Sequence, residues 1–519
     1  MESRATAPTA QAPPSAGGQS VLDPMNRTGL NRFHAKTILI AGMGFFTDAY
    51  DLFVIGLIAA LFVFYKPFAI PGSLFSLPFG GSAGVISGIA LISAAAIFGA
   101  VIGPMVFGNL GDRFGRKTVY GIEMLVLVIG ALASGLAWSF ASLVAFRLIV
   151  GVGVGGDYPM SSTIMSEYSN VRDRGKLVGT VFAMQGFGLL AGVALGVGLL
   201  LWIPNSPDLI WRILLMAGAV PAAAVFYFRR RLPESPRYSL FVERQSEKTA
   251  RTIRAVTGVT VTPRGGSVGR VERNAGTFFR KYWPLVLGTA FAWFLFDISF
   301  YGTSIYTPTL ISSLSLAYAP HLTAIQHLTT AEEYTAVITL LFTVPGYWIA
   351  VALIDRVGRR TLQLVGFGVM ALAFAVLGFV PSLVALGAPF AAIYGLTFLF
   401  GNMGPNTTTF VVPTEVFPTQ YRSTGHGIAA GAGKVGAAIS TLLFAALVAI
   451  WSPSGMMLFL ALIALAGVIV TFVLIPETMR RTLETTSQQE EFQQALVAPT
   501  ATPPSTVKDL GAPTELRSE

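Results

Sequence analysis

The turn GDRFGRK at residues 111–117 recurs as IDRVGRR at residues 354–360, so Asp112 has a counterpart in Asp355, 243 positions later. Each copy directly follows a long apolar segment. A repeated turn at this distance suggests that the second half of the chain is built like the first.

Two further landmarks recur at nearly the same distance. Pro233 in LPESPR is followed 243 positions later by Pro476 in IPETMRR, and Glu167 is followed 248 positions later by Glu415. Chance recurrence of short basic turns is the alternative, but three landmarks at nearly one offset favour a duplication. Parallel repeats are typical of transporters whose two halves are related by an axis along the membrane normal, with the substrate path between the halves.

The composition indicates a membrane protein. Of the 519 residues 53% are hydrophobic and 12% are charged, and the mean hydropathy is +0.65. A helix needs about 20 apolar residues to cross a bilayer. Twelve segments of suitable length predict spans 1 to 12, near residues 36–64, 83–109, 118–137, 141–166, 177–202, 209–231, 283–313, 334–354, 361–380, 386–414, 424–450 and 455–475.

The basic residues predict the orientation, because Lys and Arg collect in cytoplasmic loops. They are concentrated after the even-numbered spans, whereas the alternate loops carry almost none. Both termini are therefore expected in the cytoplasm, with the chain in a plasma membrane or a bacterial inner membrane. The net charge of +9 then reflects topology and contact with anionic lipid, and nucleic-acid binding is not expected.

The chain is expected to divide into five regions. The tails are too polar and too rich in proline to bury a core, so we expect them to be disordered. The chain has no cysteine and four scattered histidines, so neither a metal site nor a cofactor is expected. The predicted regions are a cytoplasmic tail at 1–33, a six-helix bundle at 34–231, a cytoplasmic linker at 232–281, a second six-helix bundle at 282–478 and a cytoplasmic tail at 479–519.

Several segments resemble a known family. GNLGDRFGRK, RLIVGVGVGG and PESPRY are similar to signature segments of the major facilitator superfamily. FTDAYDLF, GGDYPMSSTIMSE, WFLFDISFYG and GPNTTTFVVPTEVFPTQYRSTGHG closely resemble the proton-coupled inorganic phosphate symporters. The resemblance implies an all-α membrane protein with twelve transmembrane helices in two pseudo-symmetric six-helix bundles, the major facilitator fold. It also implies phosphate uptake driven by a proton gradient.

Ionisable residues inside the spans independently indicate a central site. At a helix rise of about 1.5 Å per residue, Asp48, Asp157, Asp297 and Lys434 all come out near the middle of the membrane. Buried charges are costly in lipid and tend to mark an ion or proton path. We therefore predict a path between the two halves.

The segment WFLFDISFY predicts a phosphate site, because Trp293, Asp297 and Tyr301 share one helical face. Phosphate near neutral pH both accepts and donates hydrogen bonds, whereas sulfate donates none, so Asp297 can favour phosphate by accepting its proton-bearing oxygen or by being protonated itself. Lys434 is expected to balance the anion or Asp297, with a structural salt bridge as the alternative. In agreement with the resemblance, the predicted lining residues are Tyr158, Gln185, Trp293, Asp297, Tyr301, Asn406 and Lys434.

The acidic residues of the N-terminal half are expected to carry protons. Asp48, Asp51 and Asp157 lie at one depth, with Arg147 as the deep basic residue near them. Desolvation and mutual repulsion favour the neutral acid, so these four residues are predicted to form a proton relay. In the alternatives, Asp48 or Asp51 hydrogen-bonds irregular helix backbone, and Arg147 has a structural role.

The repeated turn is predicted to act as a gate. Asp112 can bind the positive N-terminal end of the next helix, and Arg113 and Arg116 can pair with Glu167. Such contacts would favour a conformation closed toward the cytoplasm. The alternative is that these charges only set the topology.

The predicted function is secondary active transport, by proton-coupled symport of inorganic phosphate into the cell through alternating access. Phosphate, protons and membrane lipids are the expected partners. An enzyme is not expected, because the spans lack a nucleotide-cradling loop and a credible Ser/His/Asp order. The alternatives are a facilitator-family symporter for a sugar, an organic cation or an aromatic acid, and a phosphate-sensing membrane receptor.

Overall fold

The computed structural model describes residues 21–77, 85–261, 273–318, 321–386 and 388–488. Most of these residues are helical, and a two-stranded antiparallel sheet pairs β1 (Phe75–Ser76) with β2 (Val85–Ile86) in the loop after span 1. A short helix, α1 (Asp23–Arg27), precedes the first span.

The N-terminal half contains spans 1 to 6, three of which are interrupted helices. The spans are formed by α2 (Arg32–Phe53) with α3 (Ile55–Phe64), α4 (Gly88–Phe114), α5 (Arg116–Val119) with α6 (Ile122–Gly135), α7 (Phe140–Tyr168), α8 (Arg174–Trp202), and α9 (Pro207–Ala217) with α10 (Ala219–Arg229). Two helices of the linker follow, α11 (Pro236–Phe241) and α12 (Ser246–Thr257).

The C-terminal half contains spans 7 to 12, and π-helical turns interrupt two of them. The elements are α13 (Ala275–Tyr318), α14 (Ala324–Ile338) with the π-turn Thr339–Thr343 and α15 (Val344–Val357), α16 (Arg359–Phe379), the 3-10 helix Pro381–Leu386, α17 (Ala388–Gly401) with the π-turn Asn402–Asn406 and α18 (Thr407–Val416), the 3-10 helix Thr419–Tyr421, and α19 (Arg422–Leu474). A last short helix, α20 (Leu483–Thr486), lies beyond the spans.

The described helices account for all twelve predicted spans. By length and composition ten helices of the described chain could cross a membrane, and the last of them has 56 residues. That helix would be about 84 Å long, far more than a bilayer of about 30 Å requires. Its backbone breaks at Ser452, where φ is 65°, so it supplies spans 11 and 12. The interrupted helix α17–α18 supplies span 10.

The two halves meet chiefly along two helix pairs. Helix α4 packs along α19, and α8 packs along α15. Glycines allow the first pair to approach closely: a Cβ on Gly427 would lie 2.2 Å from the carbonyl oxygen of Pro104, and a Cβ on Gly108 would lie 2.4 Å from that of Ser423. Small residues at helix contacts are typical of membrane proteins. Large apolar side chains such as Trp202 and Phe472 lie exposed on the outside of the bundle.

Parts of the tails and of the linker are folded, contrary to the expectation of disordered tails and a plain linker loop. Leu22 and Met25 of the N-terminal tail pack in one buried cluster with Ile253 and Val256 of the linker. Helix α20 lies in the C-terminal tail, and α13 begins within the predicted linker. The other tail residues, 1–20 and 489–519, lie outside the described part of the chain. We call the side of the molecule that carries these elements the linker face.

Candidate functional site

A charged cluster lies where the two halves meet. The Nζ of Lys434 lies 3.0 Å from Oδ2 of Asp297 and donates a hydrogen bond of 2.8 Å to the hydroxyl of Tyr301. The rings of Tyr158 and Tyr301 have their centres 4.7 and 4.3 Å from this nitrogen. Tyr158 belongs to the N-terminal half, so the cluster joins both halves, and all four side chains are buried.

Small residues of α19 bring the cluster together. A Cβ on Gly433, next to Lys434, would lie 2.5 Å from Cδ1 of Trp293, and a Cβ on Gly436 would lie 2.4 Å from the carbonyl oxygen of Phe294. Because α13 can therefore approach α19 closely, the amine of Lys434 reaches Asp297. The ring of Trp293 lies 5.9 Å from that of Tyr158 and completes the wall of the cluster.

Asn406 and Gln185 lie buried on neighbouring helices. Asn406 ends a π-turn, and its Nδ2 donates hydrogen bonds to the hydroxyl of Tyr347 at 2.9 Å and to Oδ1 of Asn402 at 2.7 Å. The Nε2 of Gln185 has no hydrogen-bond partner among the described residues. Sequence reasoning missed Tyr347, which carries no charge and stands in an ordinary apolar segment.

A second charged cluster lies inside the N-terminal half, around Arg229. Its guanidinium donates two hydrogen bonds of 2.7 Å to the two carboxylate oxygens of Asp157 and one of 2.8 Å to Oε1 of Glu123. The ring centre of Tyr120 lies 4.3 Å from the same guanidinium. Sequence reasoning missed Arg229 and Glu123, because Arg229 opens the run RRR and reads as a topology signal of the linker.

Gly44 makes room for this ion pair against span 1. A Cβ on Gly44 would lie 1.8 Å from Nη2 of Arg229 and 2.4 Å from Oδ2 of Asp157. Asp48, one turn further along α2, interacts electrostatically with both members of the pair. Asp48 and Asp157 are therefore neighbours, as expected.

Asp51 lies outside this ion-pair cluster, so the four residues predicted to form a proton relay are divided between two places in the N-terminal half. The carboxylate of Asp51 points to the junction of α9 and α10, where a Cβ on Gly218 would lie 2.3 Å from Oδ1. Arg147 donates a hydrogen bond of 2.6 Å to the main-chain oxygen of Asp51 and not to a carboxylate. Asp48 and Asp51 are three residues apart on α2, so their side chains face different neighbouring helices.

The linker face carries ion pairs that cross between the halves. Oε1 of Glu167 lies 3.2 Å from Nη2 of Arg116 in the same half and 2.8 Å from Nη1 of Arg422 in the other half. Arg116 also lies 3.1 Å from Asp112. All four side chains are buried, and a charge-assisted network of this kind holds the two halves together at this face.

The same arrangement is repeated around Glu415. Oε1 of Glu415 lies 2.8 Å from Nη2 of Arg359 in its own half and 2.7 Å from Nε of Arg174 in the other half. Arg359 also lies 2.7 Å from Asp355. The sequence contained the signal for this second set, because its residues stand 243 or 248 positions from those of the first set.

Asp112 binds a helix end, but in the other half and not in the next helix as predicted. Its carboxylate accepts hydrogen bonds of 3.2 and 2.7 Å from the main-chain nitrogens of residues 423–424, in the first turn of α19. Asp355 accepts hydrogen bonds of 3.1 and 2.7 Å from those of residues 175–176, in the first turn of α8. Arg113, predicted to pair with carboxylates, is exposed, forms no ion pair among the described residues and contacts the ring of Phe114 at 5.3 Å.

The tails and the linker reinforce this face. Nε of Arg237 donates a hydrogen bond of 2.9 Å to Glu484 of the C-terminal tail, and Nη2 donates one of 2.7 Å to Asn26 of the N-terminal tail. Burial opposes the charge of Glu484, but the guanidinium of Arg237 outweighs burial, so the pKa of Glu484 is lowered. The pKa of Glu234 is raised, because burial outweighs its hydrogen bonds from the main-chain nitrogens of Ser235 and Lys117.

Comparisons with known proteins agree with this architecture. The family model "Sugar (and other) transporter" matches residues 37–489. A probable inorganic phosphate transporter 1-6 of Arabidopsis thaliana is 37% identical over 91% of this chain and 97% of its own length, and a putative inorganic phosphate transporter 1-13 of Oryza sativa subsp. japonica is 38% identical over 92% and 96%. A solved structure of XylE, a proton:xylose symporter, covers 88% of this chain and 99% of its own with a TM-score of 0.71 at 20% identity.

The fold and the buried charged contact between its halves define a multi-pass membrane transporter of the major facilitator superfamily, not an enzyme. Within the superfamily, the chain belongs to the family of the inorganic phosphate transporters of plants to which it is similar over nine tenths of its length. The predicted family and the predicted twelve-helix fold are thereby confirmed.

Proposed function

We propose that this chain is a proton-coupled symporter that moves inorganic phosphate into the cell by alternating access. The observation that carries the proposal is the contact of Lys434 with Asp297 and Tyr301 at the boundary of the two halves. The relatives named as inorganic phosphate transporters support the same substrate.

The cluster around Lys434 has the chemistry that phosphate requires. The Lys434 ammonium and the hydroxyls of Tyr158 and Tyr301 can donate to phosphate oxygens, and Asp297 can accept from a proton-bearing phosphate oxygen. Without substrate, Asp297 neutralises Lys434. Binding of the anion therefore competes with an internal ion pair, which a proton on Asp297 would weaken. Trp293, Gln185 and Asn406 are expected to supply further hydrogen bonds.

The buried charged groups of the N-terminal half can hold the coupled protons. Four carboxyl groups stand against two guanidinium groups, so the set can take up two protons before it becomes positively charged. Unpaired carboxylates are costly away from water, which favours protonation. These groups are Asp48, Glu123, Asp157 and Arg229 of the cluster around Arg229, and Asp51 and Arg147, which lie outside that cluster.

The linker face supports alternating access. The pairs Glu167–Arg422 and Glu415–Arg174 tie the halves together there. With the linker face in the cytoplasm of a plasma membrane or bacterial inner membrane, this conformation is closed toward the cytoplasm. Breaking these pairs opens the path at the linker face, and the halves rock about the central cluster.

Flux measurements with purified protein in liposomes test the proposal. An inwardly directed proton gradient should drive accumulation of labelled phosphate, a protonophore should abolish it, and sulfate and xylose should not compete. Asp297→Ala and Asn406→Ala should lose uptake. Accumulation that survives the protonophore would rule out proton coupling, and absence of phosphate flux would rule out the substrate. Binding without flux would favour a phosphate-sensing receptor.

A further inference from the structure

A buried carboxyl group on span 8 lies outside both charged clusters. Glu332 of α14 exposes 2% of its surface and lines a cavity of about 50 Å³ between the two halves. Its Oε1 has no hydrogen-bond partner, and its carboxylate forms no ion pair, within the part of the chain that the structure describes. A cavity of this size holds roughly three to five water molecules.

The cavity lies on the far side of the central cluster from the linker face. Helices α8 and α13 both begin at the linker face, and on each the cavity-lining residues come later than the site residue. Leu189 follows Gln185 on α8, and Ser304 follows Asp297 by seven residues on α13, or about 10 Å along the helix. With the linker face in the cytoplasm, Glu332 lies on the outer path to the phosphate site.

The groups around Glu332 leave its charge unbalanced. Gly196 of α8 faces Glu332, since a Cβ on this glycine would lie 3.9 Å from Oε2. The neighbouring helices α2, α3, α8 and α13 also contribute residues to the cavity, and among these described residues Tyr50 is the one titratable side chain. The hydroxyl of Tyr50 is already engaged, because it donates a hydrogen bond of 2.7 Å to the main-chain oxygen of Leu214. On α14 itself, Glu333 and His327 do not line the cavity.

We propose that Glu332 is a proton-dependent filter on the outer path of phosphate, a role that rests on the proposed function and adds a specificity-determining residue to it. The neutral acid admits the anion, and the carboxylate repels it. Two like charges about 8 Å apart at an effective dielectric constant near 20 repel strongly enough to weaken binding by about tenfold or more. A proton must then reach Glu332 before phosphate passes.

The test compares Glu332→Gln with its matched control Glu333→Gln, an exposed carboxyl group one position further along the same helix. KM and kcat for phosphate are measured in proteoliposomes between pH 5.5 and 8.5 by counterflow, without a gradient. Phosphate itself loses a proton over this range, so only differences between variants are interpreted. The expected result is a KM about tenfold lower than wild type at pH 8.5 in Glu332→Gln and equal at pH 5.5, with kcat changed less than twofold. Glu333→Gln should follow the wild type.

A second neutral variant, Glu332→Met, guards against a folding defect of the first, and both must agree. Superimposable KM profiles of wild type and either folded neutral variant would overturn the filter. Loss of gradient-driven accumulation in Glu332→Gln would make Glu332 a member of the proton relay and would also overturn the filter. The filter would likewise be overturned if replacing Na⁺ by choline changed the KM of the wild type but not that of Glu332→Gln. If the wild type moves no phosphate, the proposed function fails before Glu332 is tested.

Discussion

The linker face and the centre of the molecule differ in whether their charged residues are repeated in the two halves. At the linker face the charges are repeated: Arg116 and Glu167 of the first half match Arg359 and Glu415 of the second half, 243 and 248 positions later. Each glutamate binds one arginine from each half. The predicted gate thus consists of two equivalent sets of ion pairs, one from each repeat.

At the centre the charges are not repeated. At the same offsets, Asp297 corresponds to Val54, and Lys434 corresponds to Gly186. Arg229 likewise corresponds to Phe472. A rocking motion between two halves needs equivalent contacts on both sides of its axis, whereas binding an anion and carrying protons need different groups. If the proposed function holds, anion binding and proton transfer are assigned to different halves, while both halves contribute equally to the ion pairs of the linker face.

The largest expected effect concerns the central ion pair. Asp297→Asn and Lys434→Met should each reduce phosphate uptake at least 100-fold, because each removes a group that is proposed to bind the anion. Lys434→Met also leaves Asp297 buried without its partner, at a cost of about 3 kcal/mol of unfolding free energy. The double variant should recover thermal stability but not uptake. Transport by the double variant at the wild-type rate would show that the pair has only a structural role.

The gate should respond equally in both halves. Glu167→Gln removes the ion-pair partner of Arg422, and Glu415→Gln removes that of Arg174. Each variant cuts one pair between the halves and should open the linker face. Since the chain has no cysteine, Thr163→Cys, at a buried contact with Ser423 of the other half, supplies a single label. The maleimide labelling rate of this cysteine should rise about tenfold in either variant, which corresponds to a change of about 1.4 kcal/mol in the free energy of opening. A response to only one of them would contradict a symmetric gate.

Each of the two repeated turns contains a glycine with a positive φ. Gly115 and Gly358 have φ values of 97° and 100°, a conformation that strains other residues. Gly115→Ala and Gly358→Ala should each cost about 1 to 3 kcal/mol and lower the thermal unfolding temperature of the purified protein by similar amounts. Gly29→Ala, where an added Cβ meets nothing within 4 Å, is the control. Unequal shifts would show that one turn carries more strain than the other.

The smallest expected effect concerns a pair at the linker face that has no repeated copy, Glu484 with Arg237. Because the pKa of Glu484 is lowered on folding, its stabilisation is complete above the unfolded value of about 4.3 and is lost as the pH falls through the lower folded value. Glu484→Gln should therefore lower stability by about 1 kcal/mol at pH 5 to 8, and this difference should shrink below pH 4. Glu247→Gln, in an exposed pair, should have no effect at either pH. A constant difference down to pH 3 would contradict the assignment.

Sequence reasoning reached the twelve spans, the duplication and the residues that surround Lys434. The spans follow from apolar length, which a bilayer imposes on any chain. Asp297 and Tyr301 could be placed together because they stand one helical turn apart. The gate partners Arg174, Arg359 and Glu415 were within reach through the repeat offset alone.

Only the tertiary structure decided which charges pair across helices. Arg229 reads as one of three consecutive arginines at the end of span 6, yet it is the partner of Asp157, because Gly44 leaves space for it. Asp51 and Asp48 share a helix but face different neighbours, and Asp112 binds a helix end 311 residues away. The hydrophobic pattern along a chain determines which segments enter the membrane. A long side chain near the end of such a segment can reach several possible partners, and only the packing of the helices selects one partner.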